Sequence, residues 1–360
     1  MKKLFPGYVL KSESDIVRIL NEGLIVFDAK VLLNLYRYSE STTNALFEII
    51  EKFSERVYLP HQAAFDYNRN RIDVILQQYK VYEHLQKNLN DILVEIQSDN
   101  KQPFLSPLLK DKIEASFEEI QAEVVKSKKR FERFIYDDPI FERIDQIFTS
   151  RISNSYDDER MKKIYQEGKK RYEKQIPPGF EQKSEIEEVK YADLVFWKQI
   201  MDISKYHNKD ILLVTDDYKP DWIWMIEGNR TIGPRAELVE ELHRYSKRDF
   251  HIYSSKNFME YGSSVFSLSV TADVLNEIQE INENLNSKLI QDYEGLRNKL
   301  LRKKNIITEL KHIDKEITSI KNEIGEIDQK SNVIKLNTEE GTSELSDTKY
   351  KLIELIKNLN

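Results

Sequence analysis

Two short apolar runs without polar alternation dominate the hydropathy pattern, and each ends in acid. Leu24-Ile25-Val26-Phe27 leads into Asp28, and Ile211-Leu212-Leu213-Val214 leads into Thr215-Asp216-Asp217. Such runs read as strands buried on both faces, as in the middle of a parallel sheet. Val57-Tyr58-Leu59-Pro60 and Phe250-His251-Ile252-Tyr253 read as further strands. Between them the apolar period becomes helical. Ser12 to Asn21 places Ile16, Ile19 and Leu20 on one face and is ended by Gly23. Lys30 to Tyr38, Ser41 to Phe53, Val189 to Ser204, and a segment from Gly233-Pro234-Arg235 through Leu238, Val239 and Leu242 follow the same spacing. Strand, helix, helix, strand is the start of a doubly wound α/β sheet. The crevice of such a sheet lies beyond the carboxyl ends of its strands, where Asp28 and Asp217 would stand.

The middle and the end of the chain follow other patterns. Residues 72–176 read as a helical insertion, much of it charged. Lys126 to Arg133 is a basic run around Phe131, and Met161 to Lys174 is another, with Tyr165 and Tyr172. Solvated helix faces are the favoured reading of these runs. The alternative is a phosphate-tracking surface with aromatics for base stacking. Pro177-Pro178-Gly179 breaks the helical pattern and returns the chain to the core. From about Asp273 glycine and proline nearly vanish, and a seven-residue column runs Leu289, Leu296, Lys303, Leu310, Ile317, Ile324, Ser331, Thr338, Leu345, Leu352, Leu359. Its apolar companions change side near Leu310, a single slip of register. The column predicts coiled-coil helices, with Asn332 to Ser346 as a weaker stretch suited to a turn. The expected division is residues 1–272 for the α/β domain and 273–360 for an assembly or partner-binding region.

Composition narrows the class. Only 10 Gly and 9 Pro in 360 residues argue for long helices and against a loop-rich β protein. A net charge of −7 gives no overall basic footprint, so a nucleic acid would be held by local patches or through a metal. With no cysteine, disulfides and thiolate zinc sites are excluded, and a cytoplasmic protein is expected. No run approaches the about eighteen apolar residues of a membrane span, and the first residues lack the apolar stretch of a signal peptide.

The candidate chemistry is carboxylate. Asp28 follows the first strand, Asp66 lies on a helix after the second, Asp193 shares a helical stripe with Phe196 and Trp197, and Asp216 and Asp217 follow a later strand. One such Asp alone is equally well a helix cap. Together, oxygen-only ligands in an open arrangement suit Mg²⁺ or Mn²⁺. Two such ions about 3.5–4 Å apart activate water and stabilise the leaving oxygen in phosphodiester cleavage. The six histidines form no ligand spacing, and His61, just after a proline, reads as a capping or packing residue. There is no Walker loop and no GxSxG.

Six stretches in order resemble the PIN-domain nucleases, in the bacterial branch called PIN-like. They are Ile25-Val26-Phe27-Asp28 with Leu32-Leu33-Asn34-Leu35-Tyr36-Arg37-Tyr38; Leu59-Pro60-His61-Gln62 with Asp66 and Asn70-Arg71; Pro177-Pro178-Gly179-Phe180; Tyr191-Ala192-Asp193-Leu194 with Trp197; Val214-Thr215-Asp216-Asp217 with Trp222; and Ile232-Gly233-Pro234-Arg235. The resemblance implies an α/β/α sandwich with a central, mainly parallel sheet and metal-dependent RNA cleavage. It makes Asp28, Asp66, Asp193 and Asp217 the catalytic and metal-binding acids, with Asp216 beside them. Lys30, Arg37, Arg69, Arg71 and Thr215 are the candidate substrate contacts. The expected cofactor is Mg²⁺ or Mn²⁺ and the expected substrate RNA, with DNA as the runner-up. A homo-oligomer or a hetero-partner is expected through the coiled coil, and no membrane. PIN proteins often act as toxins or defence effectors, and that role is a further expectation. Two positions depart from the pattern. Asp66 stands where Glu is commoner. Lys30 stands two after the first Asp, where a small polar residue is usual. An ammonium there either replaces a cation and weakens metal binding, giving a disabled PIN-like scaffold, or reaches a substrate phosphate.

Overall fold

The computed structural model describes residues 5–97, 105–180, 184–217, 219–226 and 230–285, with Met1, Gln182 and helical pieces between 308 and 319 and between 346 and 354. The chain divides into two compact units, Met1–Asn282 and Glu283–Asn360. The first therefore extends past position 272, where the composition changes.

In the first unit, α1 (Glu13–Glu22) is held by a capping box between Ser12 and Asp15, and Gly23 ends it. β1 (Leu24–Phe27) runs into α2 (Ala29–Asn34) and α3 (Glu40–Lys52), then β2 (Val57–Tyr58). Four helices follow: α4 (His61–Gln97), α5 (Pro107–Phe134), α6 (Pro139–Phe148) and α7 (Asp158–Glu173). The chain returns through α8 (Glu187–Lys190) and α9 (Ala192–His207) to β3 (Ile211–Val214). A hairpin of β4 (Ile223–Ile226) and β5 (Arg230–Pro234) precedes α10 (Ala236–Ser246), β6 (Phe250–Tyr253) and α11 (Ser255–Phe266). Residues 272–285 form one more helix.

The sheet order is β2-β1-β3-β6, all parallel, with Leu24 opposite Ile211 and Ile211 opposite Phe250. Every residue of β1 and β3 is buried, which is why neither strand alternates. Parallel neighbours need crossovers, and helices supply them on both faces. On one face Phe27 packs edge-on between Phe148 of α6 and Phe258 of α11. On the other, Trp197 of α9 packs edge-on against Phe250 and Trp222. Each of these rings is essentially removed from water, an effect of about 1.5–3 kcal/mol per large side chain. The result is an α/β/α sandwich. The chain leaves β1 first toward β2 and later toward β3. The switch point, and hence the crevice, lies beyond the carboxyl ends of β1 and β3.

Several local expectations change. The helix expected to Tyr38 stops at Asn34, where turns take over. The segment read as helical throughout has a break in which Ile152 bridges Leu59 and so prolongs β2. The β4–β5 hairpin was not expected from the pattern. Several members of the basic runs pair with acids. Lys128 pairs with Glu83, Arg130 with Glu40, Arg133 with Asp137 and Lys163 with Glu159. Phe131 is buried against Tyr82 and Phe134, and Tyr165 and Tyr172 lie against Tyr191. Phe131 is therefore a core residue, and Tyr165 and Tyr172 are half-buried against their neighbours. In the second unit the described pieces are helical, and His312 and Glu316 face each other across one turn at 3.3 Å. Of the seven-residue column only Leu310 and Ile317 are among the described residues; its members from Leu289 to Lys303 and from Ile324 to Leu359 lie outside them. No described helix is long and apolar enough to cross a membrane.

Candidate active site

The crevice is built from the ends of the two central strands. Asp28 ends β1 and caps α2, and Thr215, just past β3, donates its hydroxyl to Asp28 Oδ2 at 2.7 Å. The Thr215 Oγ1 in turn accepts the backbone N–H of Asp217 at 3.0 Å. One hydroxyl thereby fixes both strand ends. Asp193 sits in the first turn of α9, and Asp66 lies on α4, where Gln62 donates to its Oδ2 at 3.1 Å.

Two ammoniums stand among these acids. Lys30 Nζ is 2.8 Å from Asp217 Oδ1, and Lys219 Nζ is 2.9 Å from Asp217 Oδ2 and 3.2 Å from Asp193 Oδ2. Asp221 joins them on the turn between β3 and β4. It is fully buried and accepts the backbone N–H of Gly179 on Oδ2, while its Oδ1 has no hydrogen-bond partner. Gly179 has φ +89°, and a Cβ there would collide with the Tyr172 hydroxyl, so this approach to Asp221 requires glycine.

The electrostatics follow from burial and from who faces whom. Burial pushes the Asp66 carboxyl up to about 6, with the charges of Asp28 and Asp193 adding to it against the Gln62 hydrogen bond. Burial likewise takes Asp221 to about 6, helped by Asp193 and Asp217. Asp28 is also raised by burial, against the pull of Lys30. Burial acts the same way on Asp217, but Lys30 and Lys219 outweigh it and hold that carboxyl below the usual range. Desolvation works against the charge on Lys219, yet Asp193 and Asp217 raise its pKa well above the lysine value.

Asp28 thus feels the charges of Asp193 and Asp217, and Asp66 those of Asp28 and Asp193. Asp216 is not part of that set. Its Oδ1 accepts the backbone N–H of Ser255 at 3.0 Å. Its Oδ2 accepts the Ser255 hydroxyl at 2.6 Å and Asn34 Nδ2 at 3.2 Å. Consecutive residues leaving a strand point to opposite sides, and Asp216 points into the core as a brace. Arg71 is similarly withdrawn. It pairs at 2.7 Å with buried Asp138, which caps α6 and accepts the Tyr36 hydroxyl, and its guanidinium lies over Phe141. Arg37 donates to Asn34 at 3.0 Å, and Arg69 is exposed near Asp66. His61 begins α4, its N–H on Ser153. Lys219 and Asp221 were missed in the sequence. The signal was a lysine and a third acid before Trp222, within the same short segment as Asp217.

The donor set is all carboxylate, the hard oxygen chemistry of Mg²⁺ and Mn²⁺, and the orphaned Asp221 Oδ1 leaves buried negative charge without a partner. In chemistry the residues fit a divalent cation. As the side chains stand, no three Asp, Glu or His among the described residues close around one point, so binding requires carboxylates to turn.

Neither a search of the curated proteins nor one of the solved structures finds a match. A family model described as a PIN-like domain matches residues 24–238, from the first residue of β1 into α10, and the chain belongs to that family.

Proposed function

We propose that the chain is a Mg²⁺- or Mn²⁺-dependent endoribonuclease. The observation that carries the reading is the convergence of Asp28, Asp66, Asp193 and Asp217 on the crevice at the carboxyl ends of β1 and β3, inside a domain of the PIN-like nuclease superfamily. Asp28, Asp66 and Asp193 would hold the ion. When bound, it supplies Lewis acidity to the phosphoryl oxygens and makes the attacking water more acidic. Thr215 keeps Asp28 and the Asp217 backbone in register. Lys30, about two-fifths exposed, is held on Asp217 at 2.8 Å and would set the charge of the site beside the ion. Burial of Asp217 and Asp221 strengthens the charge interactions that they make.

Incubating the purified chain with end-labelled RNA and DNA, with Mg²⁺, Mn²⁺ or chelator, tests this. Cleavage of RNA that stops on chelation supports the reading, whereas cleavage of DNA alone replaces the substrate. The ion pair of Lys30 with Asp217 favours a second reading, a PIN-like scaffold that binds nucleic acid or protein without cutting. Binding without cleavage under all metals would establish that one. A role as toxin or defence effector belongs to the first reading, and growth arrest on expression, relieved by Asp28→Asn, is its test.

A further inference from the structure

Lys30 and Lys219 do not line the rim of the acidic set; they divide it. Between them they engage both oxygens of Asp217, at 2.8 and 2.9 Å, and Lys219 extends to Oδ2 of Asp193. An ion on Asp217 would stand within a few ångströms of two positive charges. The other side of the set is different. Among the described residues no ammonium or guanidinium makes an ion pair with Asp28 or Asp66, and nothing donates to Asp66 Oδ1 or Asp193 Oδ1. Asp28, Asp66 and Asp193 also feel one another's charge. Both oxygens of Asp217 are paired with ammoniums, whereas Asp193 is paired through one oxygen and Asp28 and Asp66 through neither.

We propose that Lys30 and Lys219 are resident cations standing in for one of the two divalent ions of a two-metal site, so that this chain takes a single Mg²⁺ or Mn²⁺, held by Asp28, Asp66 and Asp193. The inference rests on the metal-dependent reading above and deepens it. Five carboxylates against two ammoniums leave a deficit that one divalent ion nearly cancels. A second ion would have to displace both lysines from Asp217. Lys219 and Lys30 are positioning residues in this arrangement. They fix Asp217 without exchange, where a metal would come and go with its concentration.

The test counts ions on the full chain, by calorimetric titration with Mn²⁺ and by electron paramagnetic resonance of the free ion. Wild type is expected to bind one ion per chain, and Asp217→Asn to keep that ion with its affinity little changed. The double variant Lys30→Asn, Lys219→Gln is expected to bind two, the second lost again when Asp217→Asn is added. Two ions on wild type, one ion on a folded double variant, or loss of the single ion in Asp217→Asn each overturn the inference while leaving metal dependence intact. If circular dichroism shows the double variant unfolded, the counts on wild type and Asp217→Asn decide. No ion on any protein defeats the metal-dependent reading and this inference with it.

Discussion

The Thr215 hydroxyl donates to Asp28 across the ends of two neighbouring strands, at 2.7 Å. The same oxygen accepts the N–H of Asp217, so it has no freedom to rotate away. Thr215→Val keeps the shape and removes both bonds. A cost of about 1–2 kcal/mol in urea unfolding is expected, with Thr215→Ser near wild type. Cleavage should fall by about tenfold or more in the valine variant, because an orphaned carboxylate loses its aim. Equal activity in both would mean that the hydroxyl only stabilises.

Stability should respond to pH in two opposed steps. Asp66 and Asp221 have carboxyls near 6, above the ordinary 3.8, so the folded chain holds their protons more tightly than the unfolded one. Their burial as anions therefore destabilises at neutral pH, and that penalty fades as pH falls through 6 toward 4. In metal-free buffer the unfolding free energy is expected to rise from about pH 7.5 to about pH 5, by about 1–2 kcal/mol per group, and the melting temperature with it. Asp66→Asn should raise it at neutral pH and flatten this limb. A melting temperature that falls over this interval would contradict the burial argument.

The second step belongs to Glu241. Burial alone would raise its carboxyl, but Arg171 at 2.7 Å, Lys198 and the Trp197 indole N–H bring it down to about 2 from 4.5. A depressed carboxyl stabilises above its unfolded value and loses that contribution as pH falls from 4.5 toward 2. Glu241→Ala leaves Arg171 buried beside its other partner, Glu167. It should cost about 3–5 kcal/mol at neutral pH and remove most of the acid limb, as read by denaturant unfolding at several pH values.

Asp216 should behave as a brace. Asp216→Asn keeps the size but turns one acceptor into a donor, facing the Ser255 hydroxyl and Asn34. A loss of about 1–3 kcal/mol is expected, with Mn²⁺ stoichiometry unchanged. Loss of the ion with stability intact would return Asp216 to the ligand set.

The helix over 272–285 should be needed by the first unit. Ile278 is fully buried, Glu277 accepts from Ser39 and Thr42 at the start of α3, and Asn282 accepts from Asn34, the residue that also reaches Asp216. A chain ending after residue 285 is expected to unfold cooperatively. One ending after Thr271 loses Val274, Ile278 and Asn282 together, and its melting temperature should drop by several degrees or more. Matching melting curves would show that this helix merely leans on the domain.

The fold was legible where one force decided. Leu24–Phe27 and Ile211–Val214 are apolar throughout because helices cover both faces, and their terminal acids marked the crevice. Gly23 marked the end of α1 because a helix stop acts locally. What could not be read depended on distant partners. Asp216 and Asp217 look alike in sequence, and only Ser255 and Asn34 on one side, against Lys30 and Lys219 on the other, give them different tasks. Arg71 reads as a phosphate contact until Asp138 claims it. The β4–β5 hairpin escaped because its strands are short and Ile223–Ile226 is bounded by a turn through Lys219 and Pro220.

Asp28 and Thr215 are neighbours in space but 187 positions apart in the chain. During synthesis, at about 5–20 residues per second, β1 therefore waits roughly 10 to 40 s for the strand beside it. Throughout that interval a wholly apolar strand has β2 alone as a partner, and the long helices α4 and α5 emerge in between. Helices of that length form from local contacts and fold early, while the sheet cannot close. The nascent chain thus spends much of its production as a helical hairpin trailing an unsatisfied strand edge. Recovery of folded protein should accordingly depend more on chaperone supply and translation speed than its final stability suggests.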